Sequence, residues 1–115
     1  MIPIQIEEFI NSKHYSTWLA VGPIMLFVRK SVRQNPKCHG LIRCFDIANV
    51  QCEDRGVGHF SELFANLEEL SEFGFNAIYI EQVLNSRFAE YFRKKNIMEV
   101  KDLADIPSFF HFLGD

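Results

Sequence analysis

The sequence lacks any uninterrupted apolar stretch of the roughly 18 residues that a membrane-spanning helix needs. Its N-terminus also lacks a basic stretch leading into an apolar segment and a small-residue cleavage site. A soluble, cytoplasmic protein that makes no membrane contact is the expectation. Cysteine is scarce: Cys38, Cys44 and Cys52 are odd in number and show no C-x-x-C spacing. That pattern argues against both a disulfide framework and a closed zinc site. His14, His39 and His111 have no ligand-like spacing either, so no metal site is expected. Basic residues are scattered except for Arg93-Lys94-Lys95, and the formal net charge is -3, which leaves no broad positive field to hold a nucleic acid. Internal repeats, low-complexity tracts and Gly/Ser-rich linkers are missing as well. The 115 residues therefore read as one domain, 1–115, too short for a second core.

Phenylalanine is abundant, with 12 residues, against a hydrophobic share of 48% and a charged share of 23%. A compact core filled by large flat rings follows. The opening Ile2 to Phe9 alternates apolar and polar residues in part. Ser16 to Arg33 reads as two β-rich runs broken at Gly22-Pro23, a hairpin whose second arm, Ile24 to Val32, is apolar on both parities and reads as a strand buried on both faces. The turn Gln34-Asn35-Pro36-Lys37 ends it. In the next strand, Leu41 to Cys52, Leu41, Phe45 and Ile47 share one parity while Ala48, Val50 and Cys52 share the other. Successive side chains point to opposite faces, so this change of phase requires a bulge or bend near Ile47-Ala48, unless the strand is buried on both faces and parity carries no information.

Glu53-Asp54-Arg55-Gly56-Val57-Gly58-His59 follows, and then Phe60, Leu63, Phe64, Leu67, Leu70 and Phe73 recur at intervals of three and four. Those intervals mark one face of an amphipathic helix, which Gly74 is suited to stop. Ala77 to Ile80 reads as a short strand, and Asn85 or Ser86 as the cap of a second helix. Two strands joined by such a helix form a right-handed crossover, which makes part of the sheet parallel. A two-glycine loop opening a helix is also where a pyrophosphate can sit: glycine permits close backbone approach, and the first helical N–H groups have no internal partner. Arg55 adds a charged contact.

Arg55-Gly56-Val57-Gly58-His59-Phe60, after a strand with a bulge and before a helix, resembles the acetyl-coenzyme A pyrophosphate loop of the GNAT superfamily of N-acetyltransferases. In the family pattern Gln/Arg-x-x-Gly-x-Gly/Ala, the first two positions fall on Arg55 and Gly58, and Phe60 stands where a small residue is expected. Ala77 to Glu81 followed by Val83 to Ile97 is similar to the family's next strand and Asn-initiated helix. Asn85 then corresponds to the residue facing the pantetheine arm, Phe92 to the usual tyrosine, and Asn96 to a glycine. The likeness extends over roughly Trp18 to Val100. It implies an α/β (α+β) fold: a mixed, mostly antiparallel sheet with a central parallel βαβ crossover, a splayed strand pair, and reduced N-terminal helices. The trimmed N-terminus and the Leu-Asn-Ser-Arg-Phe-Ala run are most similar to small bacteriophage-encoded members, which would place the protein in a host cytoplasm.

The resemblance implies acyl transfer from acetyl-coenzyme A to a primary amine, whether a protein lysine, an N-terminus or a small molecule. The cofactor-binding set is then Val50, Cys52, Arg55, Gly56, Val57, Gly58, His59, Phe60, Asn85 and Phe92, with main-chain N–H groups around Val50 to Cys52 polarising the thioester carbonyl. Glu81, Glu53 and Asp46 are the carboxylates placed to act as base, Glu81 first among them, and Tyr91, which neighbours the position of the missing tyrosine, joins Glu81 and Glu53 as a catalytic candidate. A different class stays open: a catalytically degenerate protein of the same fold that binds a partner such as a host protein. The tail Asp105 to Leu113 reads as a short helix with Pro107 in its first turn. Its aromatics then pack on the domain or form a homodimer contact.

Overall fold

The computed structural model describes residues 1–52, 57–83, 85–101 and 104–114, the side chains of Cys52 and Val57 excepted. The chain opens with a helix, α1 (Ile4–Asn11). Although Ile2 to Phe9 alternates in part, Ile2, Ile6 and Phe9 are spaced four and three apart, and all three are buried, which is the helical solution to the same pattern. The hairpin forms as expected, from β1 (Ser16–Val21) and β2 (Ile24–Gln34) paired antiparallel around Gly22, whose φ is 57°. Unlike the reading from sequence, β2 is buried on one face only. Ile24, Leu26 and Val28 point into the core, whereas Met25 is 38% exposed.

β3 (Leu41–Cys52) pairs antiparallel with β2 and parallel with β4 (Ala77–Ile80). Between them run α2 (Val57–Asn66) and a 3₁₀ helix (Leu67–Phe73) closed by Gly74 at φ 88°. The face from Phe60 to Phe73 thus spans two helical segments instead of one continuous helix. α3 (Ser86–Lys94) follows β4, and the chain finishes with β5 (Met98–Lys101) and β6 (Pro107–Phe112). The six strands are ordered β1-β2-β3-β4-β6-β5, all antiparallel neighbours except β3 and β4. The fold is mixed α+β with one mostly antiparallel sheet. No helix among the described residues is long and apolar enough to cross a membrane.

The tail is a strand and not a helix. β6 lies between β4 and β5, with Ile78 opposite His111 and Glu99 opposite Phe109. Pro107 suits the first residue of a strand as well as the first turn of a helix, because both positions forgo its N–H. Most of the tail's aromatic surface is taken up inside the sheet, Phe109 being fully buried and Phe110 nearly so, while Phe112 is half-buried.

The described helices all pack on one sheet face. There Ile6 and Phe9 of α1, Phe60, Leu63 and Phe64 of α2, and Ala89 and Phe92 of α3 join Leu26, Phe45, Ile47, Ile78 and Phe109 in a single core. The opposite face carries a smaller cluster of Ile42, Cys44, Ala77 and Phe110, flanked by Tyr79, Met98, Val100 and Phe112. Burial of each Ile, Leu or Phe side chain in these clusters contributes about 1.5–3 kcal/mol.

Asn85 caps α3. Its side chain accepts hydrogen bonds from the Arg87 and Phe88 backbone N–H groups at 2.9 and 3.4 Å, which satisfies donors that the helix itself leaves open. Asn85→Ala is expected to cost about 0.5–2 kcal/mol, read as a lowered midpoint in urea unfolding with an unchanged slope.

Candidate functional site: a cleft between parting strands

β3 and β4 run side by side only from Cys44 to Ile47 and from Ala77 to Ile80. The last link between them is the Glu81 N–H donating to the Ile47 carbonyl at 3.0 Å. Two local events then drive the chains apart. On β3, the pairing with β2 jumps from Val28–Ile47 to Phe27–Asn49, so Ala48 is an inserted residue. This is the bulge that the change of parity at Ile47-Ala48 implies. Phe45 and Ile47 face the main core before it, and Val50 packs against that core after it. On the other side, Gln82 takes a left-handed backbone at φ 46°. The Gln82 and Val83 N–H groups donate to Ser108 Oγ at 2.8 Å and to the Pro107 carbonyl at 2.7 Å, which commits residues 82–83 to β6 and away from β3.

The resulting cleft has a volume of about 310 Å³. One wall is Ile47, Ala48, Asn49 and Val50, and the other is Ile80, Glu81, Gln82 and Val83, with Asn85, Phe88 and Phe92 of the α3 region completing the lining. Beyond Ile47, the edge of β3 that faces the cleft has no strand partner among the described residues. An extended ligand bearing amides can bond to such an edge as an added strand does. Phe88 and Phe92 give the cavity an apolar side, while Asn49 and Glu81 give it a polar one.

Several residues expected at a site meet here: Val50, Glu81, Asn85 and Phe92. Glu81 does not stand alone, because its Oε1 accepts from Arg29 Nη2 at 2.7 Å. Tyr91 does not line the cleft. Its hydroxyl hydrogen-bonds with Ser61 Oγ at 3.2 Å, and its ring packs against Phe60, Phe64 and Phe92. The Phe60 side chain is fully buried in the core, so only its main chain is available to a ligand. Gly58, His59 and Phe60 lie in the first turn of α2, which begins at Val57, and among the described residues no atom outside its own helix backbone and chain neighbours lies within 4 Å of where a Gly58 Cβ would sit. Glu53, Arg55 and Gly56 lie outside the described residues, as does the side chain of Cys52.

Asp46 is removed from the list of bases. It is fully buried, and its carboxylate accepts from Ser31 Oγ at 2.7 Å, from Arg33 Nη2 at 2.7 Å and from Arg33 Nε at 3.3 Å. Arg29 Nε stands 3.3 Å away. A carboxylate so engaged holds β2 to β3. Desolvation works against the Arg33 guanidinium, yet the hydrogen bond and charge of Asp46 hold its pKa above the ordinary value. Cys44, beside it, has its pKa pushed up to about 11, first by burial and then by the Asp46 charge, so it is an unreactive thiol at neutral pH.

Sequence reasoning missed Asn49, Gln82 and Val83 as lining residues and Arg29 as the partner of Glu81. The Arg29–Glu81 pair joins residues 52 apart in sequence and leaves no local trace. The left-handed Gln82 carries no signal either, being neither Gly nor Asn. Among the described residues, no group of three or more His, Cys, Asp or Glu side chains is placed to hold a metal ion. No protein-family model matches the chain, and no curated protein is found to be similar to it.

Proposed function

We propose that the chain is a GNAT-type acyltransferase that takes the pantetheine arm of acetyl-coenzyme A into the cleft between β3 and residues 81–83 and acylates a primary amine. The observation that carries this reading is a parallel strand pair that parts at a bulge in β3, with the next helix in the chain, α2, opening on a glycine-containing turn. The residues present fit the group. The open edge of β3 at Ala48–Val50 offers main-chain partners to the arm's amides, Phe88 and Phe92 offer apolar cover, and the first turn of α2 offers N–H groups and a positive helix end to phosphate. Bound there, the cofactor supplies an activated acyl group.

The chain's own part in the chemistry is orientation and charge. In this reading a main-chain N–H near the bulge polarises the thioester carbonyl. Glu81 is the carboxylate that lines the cleft among the described residues, which favours it as the base toward an amine, and Arg29 holds its direction. Glu81→Gln is expected to lower thiol release from acetyl-coenzyme A in the presence of an amine by about 100-fold or more, the usual scale of general base catalysis, while cofactor affinity stays within a few-fold.

A second reading, the degenerate binding protein, is favoured by two observations: the Arg29 ion pair offsets the charge of Glu81, and Tyr91 is spent on the core. It predicts cofactor binding or partner capture with no thiol release for any amine. Measuring both binding and release separates the two readings, and acetyl-coenzyme A that neither binds nor turns over contradicts the first.

A further inference from the structure

The two edges of the sheet differ in kind. β5 is four residues long and carries Glu99 and Lys101, and Glu99 is held by both Arg93 Nε and Nη2 at 2.9 Å. A short, charged strand is how proteins blunt an edge against further pairing. β1 is six residues long, Ser-Thr-Trp-Leu-Ala-Val, with no charge and no proline. Its outer edge has no strand partner among the described residues. The uncharged stretch is longer than the strand, since Tyr15 to Val28 contains no Asp, Glu, Lys, Arg or His. Tyr15 is 79% exposed and Trp18 46% exposed, and Trp18 leans on Phe27 with ring centroids 5.3 Å apart.

We infer that the outer edge of β1 pairs antiparallel with the same edge of a second copy of this chain, joining the two sheets into one. A second copy is the occupant that the absence of charge favours. A two-fold contact sets the residue on its axis directly against its own symmetry mate, so a charge at the middle of the strand would repel itself, whereas a peptide of opposite charge would find nothing here to complement. Such a two-fold stands perpendicular to the sheet and keeps side chains of one parity opposite each other. Ser16, Trp18 and Ala20, all exposed, then face the same set on the partner copy, and the open sheet faces become continuous. One strand pair with its flanking rings lies at the small end of specific interfaces, so the dimer forms reversibly.

Sedimentation equilibrium of the whole chain across a range of concentrations tests this. The expected result is a mass that rises from 13.4 kDa towards twice that value. The Trp18→Lys/Ala20→Lys variant is expected to stay at the lower mass at every concentration with unchanged far-ultraviolet circular dichroism. Trp18→Lys alone, which sets two lysines opposite each other at the two-fold axis, provides the same readout should the double variant fail to fold. A wild-type mass fixed at the lower value, or a dimer that persists in folded lysine variants, overturns the inference.

Discussion

Phe60→Ala is expected to destabilise the fold by about 3–5 kcal/mol, the range for truncating a fully buried ring. Phe60 is wholly enclosed. Its ring meets those of Phe64, Phe88, Tyr91 and Phe92 at centroid distances of 5.7, 5.0, 6.1 and 5.8 Å. The edge-to-face contacts with Phe88, Tyr91 and Phe92 add to plain burial. Phe60, together with Ser61 and Phe64, joins α2 to α3, and its contacts with Phe88 and Phe92 carry its loss to the wall of the cleft. The cavity left behind is too rigidly framed by other rings to collapse, which places the expected cost high in its range. For a domain of this size the thermal midpoint falls by roughly 10–20 °C. A fall corresponding to less than about 1.5 kcal/mol would mean that the rings close over the gap and that the cluster is not the rigid support described here.

Arg33→Met is the second large effect. It removes both Arg33 hydrogen bonds from Asp46 and leaves a carboxylate with no solvent access facing only the Ser31 hydroxyl and Arg29 Nε. Stranding one member of a buried ion pair costs about 3–5 kcal/mol. The lower end is expected here because Arg29 remains. Arg33 also lies over the Tyr79 ring, 3.9 Å from its centroid, a contact that methionine retains only in part. The companion variant Arg33→Met/Asp46→Leu replaces the pair by apolar groups, a change that is often neutral, and is expected to recover most of the loss in chemical denaturation. A cost below about 1 kcal/mol for the single variant would class the pair with solvent-screened surface bridges and contradict the role of Asp46 as the tie between β2 and β3.

Where a pattern is local and its chemistry unambiguous, the sequence can be read directly. Gly22 and Gly74 turn the chain because they accept positive φ, Asn85 caps because its side chain reaches its own helix, and the parity change at Ala48 shows itself because strand faces alternate. Three elements were not legible for identifiable reasons. Ile2, Ile6 and Phe9 satisfy a helix as well as a ragged alternation, and packing of Phe9 on Phe45, with centroids 6.2 Å apart, selects the helix. The exposed parity of β2 depends on which face the helices cover, a fact of the assembled sheet. The tail becomes a strand because a gap between β4 and β5 accepts one, and a run rich in phenylalanine suits the pleated surface once there.

The candidate site divides along the same line. Its backbone half, the bulge and the start of α2, follows from the glycine and the strand phase. Its side-chain half depends on contacts between distant segments, and there the expectation of Tyr91 at the cleft gave way to Phe88 and Asn49. Gly58 offers a clean probe of the remaining claim. Because a Cβ at that position meets nothing among the described residues within 4 Å outside its own helix backbone and chain neighbours and helices prefer other residues to glycine, Gly58→Leu is expected to leave the free fold about as stable as before, as read by urea unfolding. A phosphate held by the first turn of α2 would nonetheless be displaced. Each charge-assisted hydrogen bond lost costs about 1.5–3 kcal/mol, hence about tenfold or more in affinity.

The most direct test is an amide chemical-shift titration of the isotopically labelled chain with acetyl-coenzyme A. The account predicts saturable shifts largest at Ala48–Val50, Gln82–Val83 and Gly58–Phe60, and weaker binding in Gly58→Leu. Spectra unchanged up to millimolar cofactor, or shifts confined to residues away from the parting strands, would contradict it.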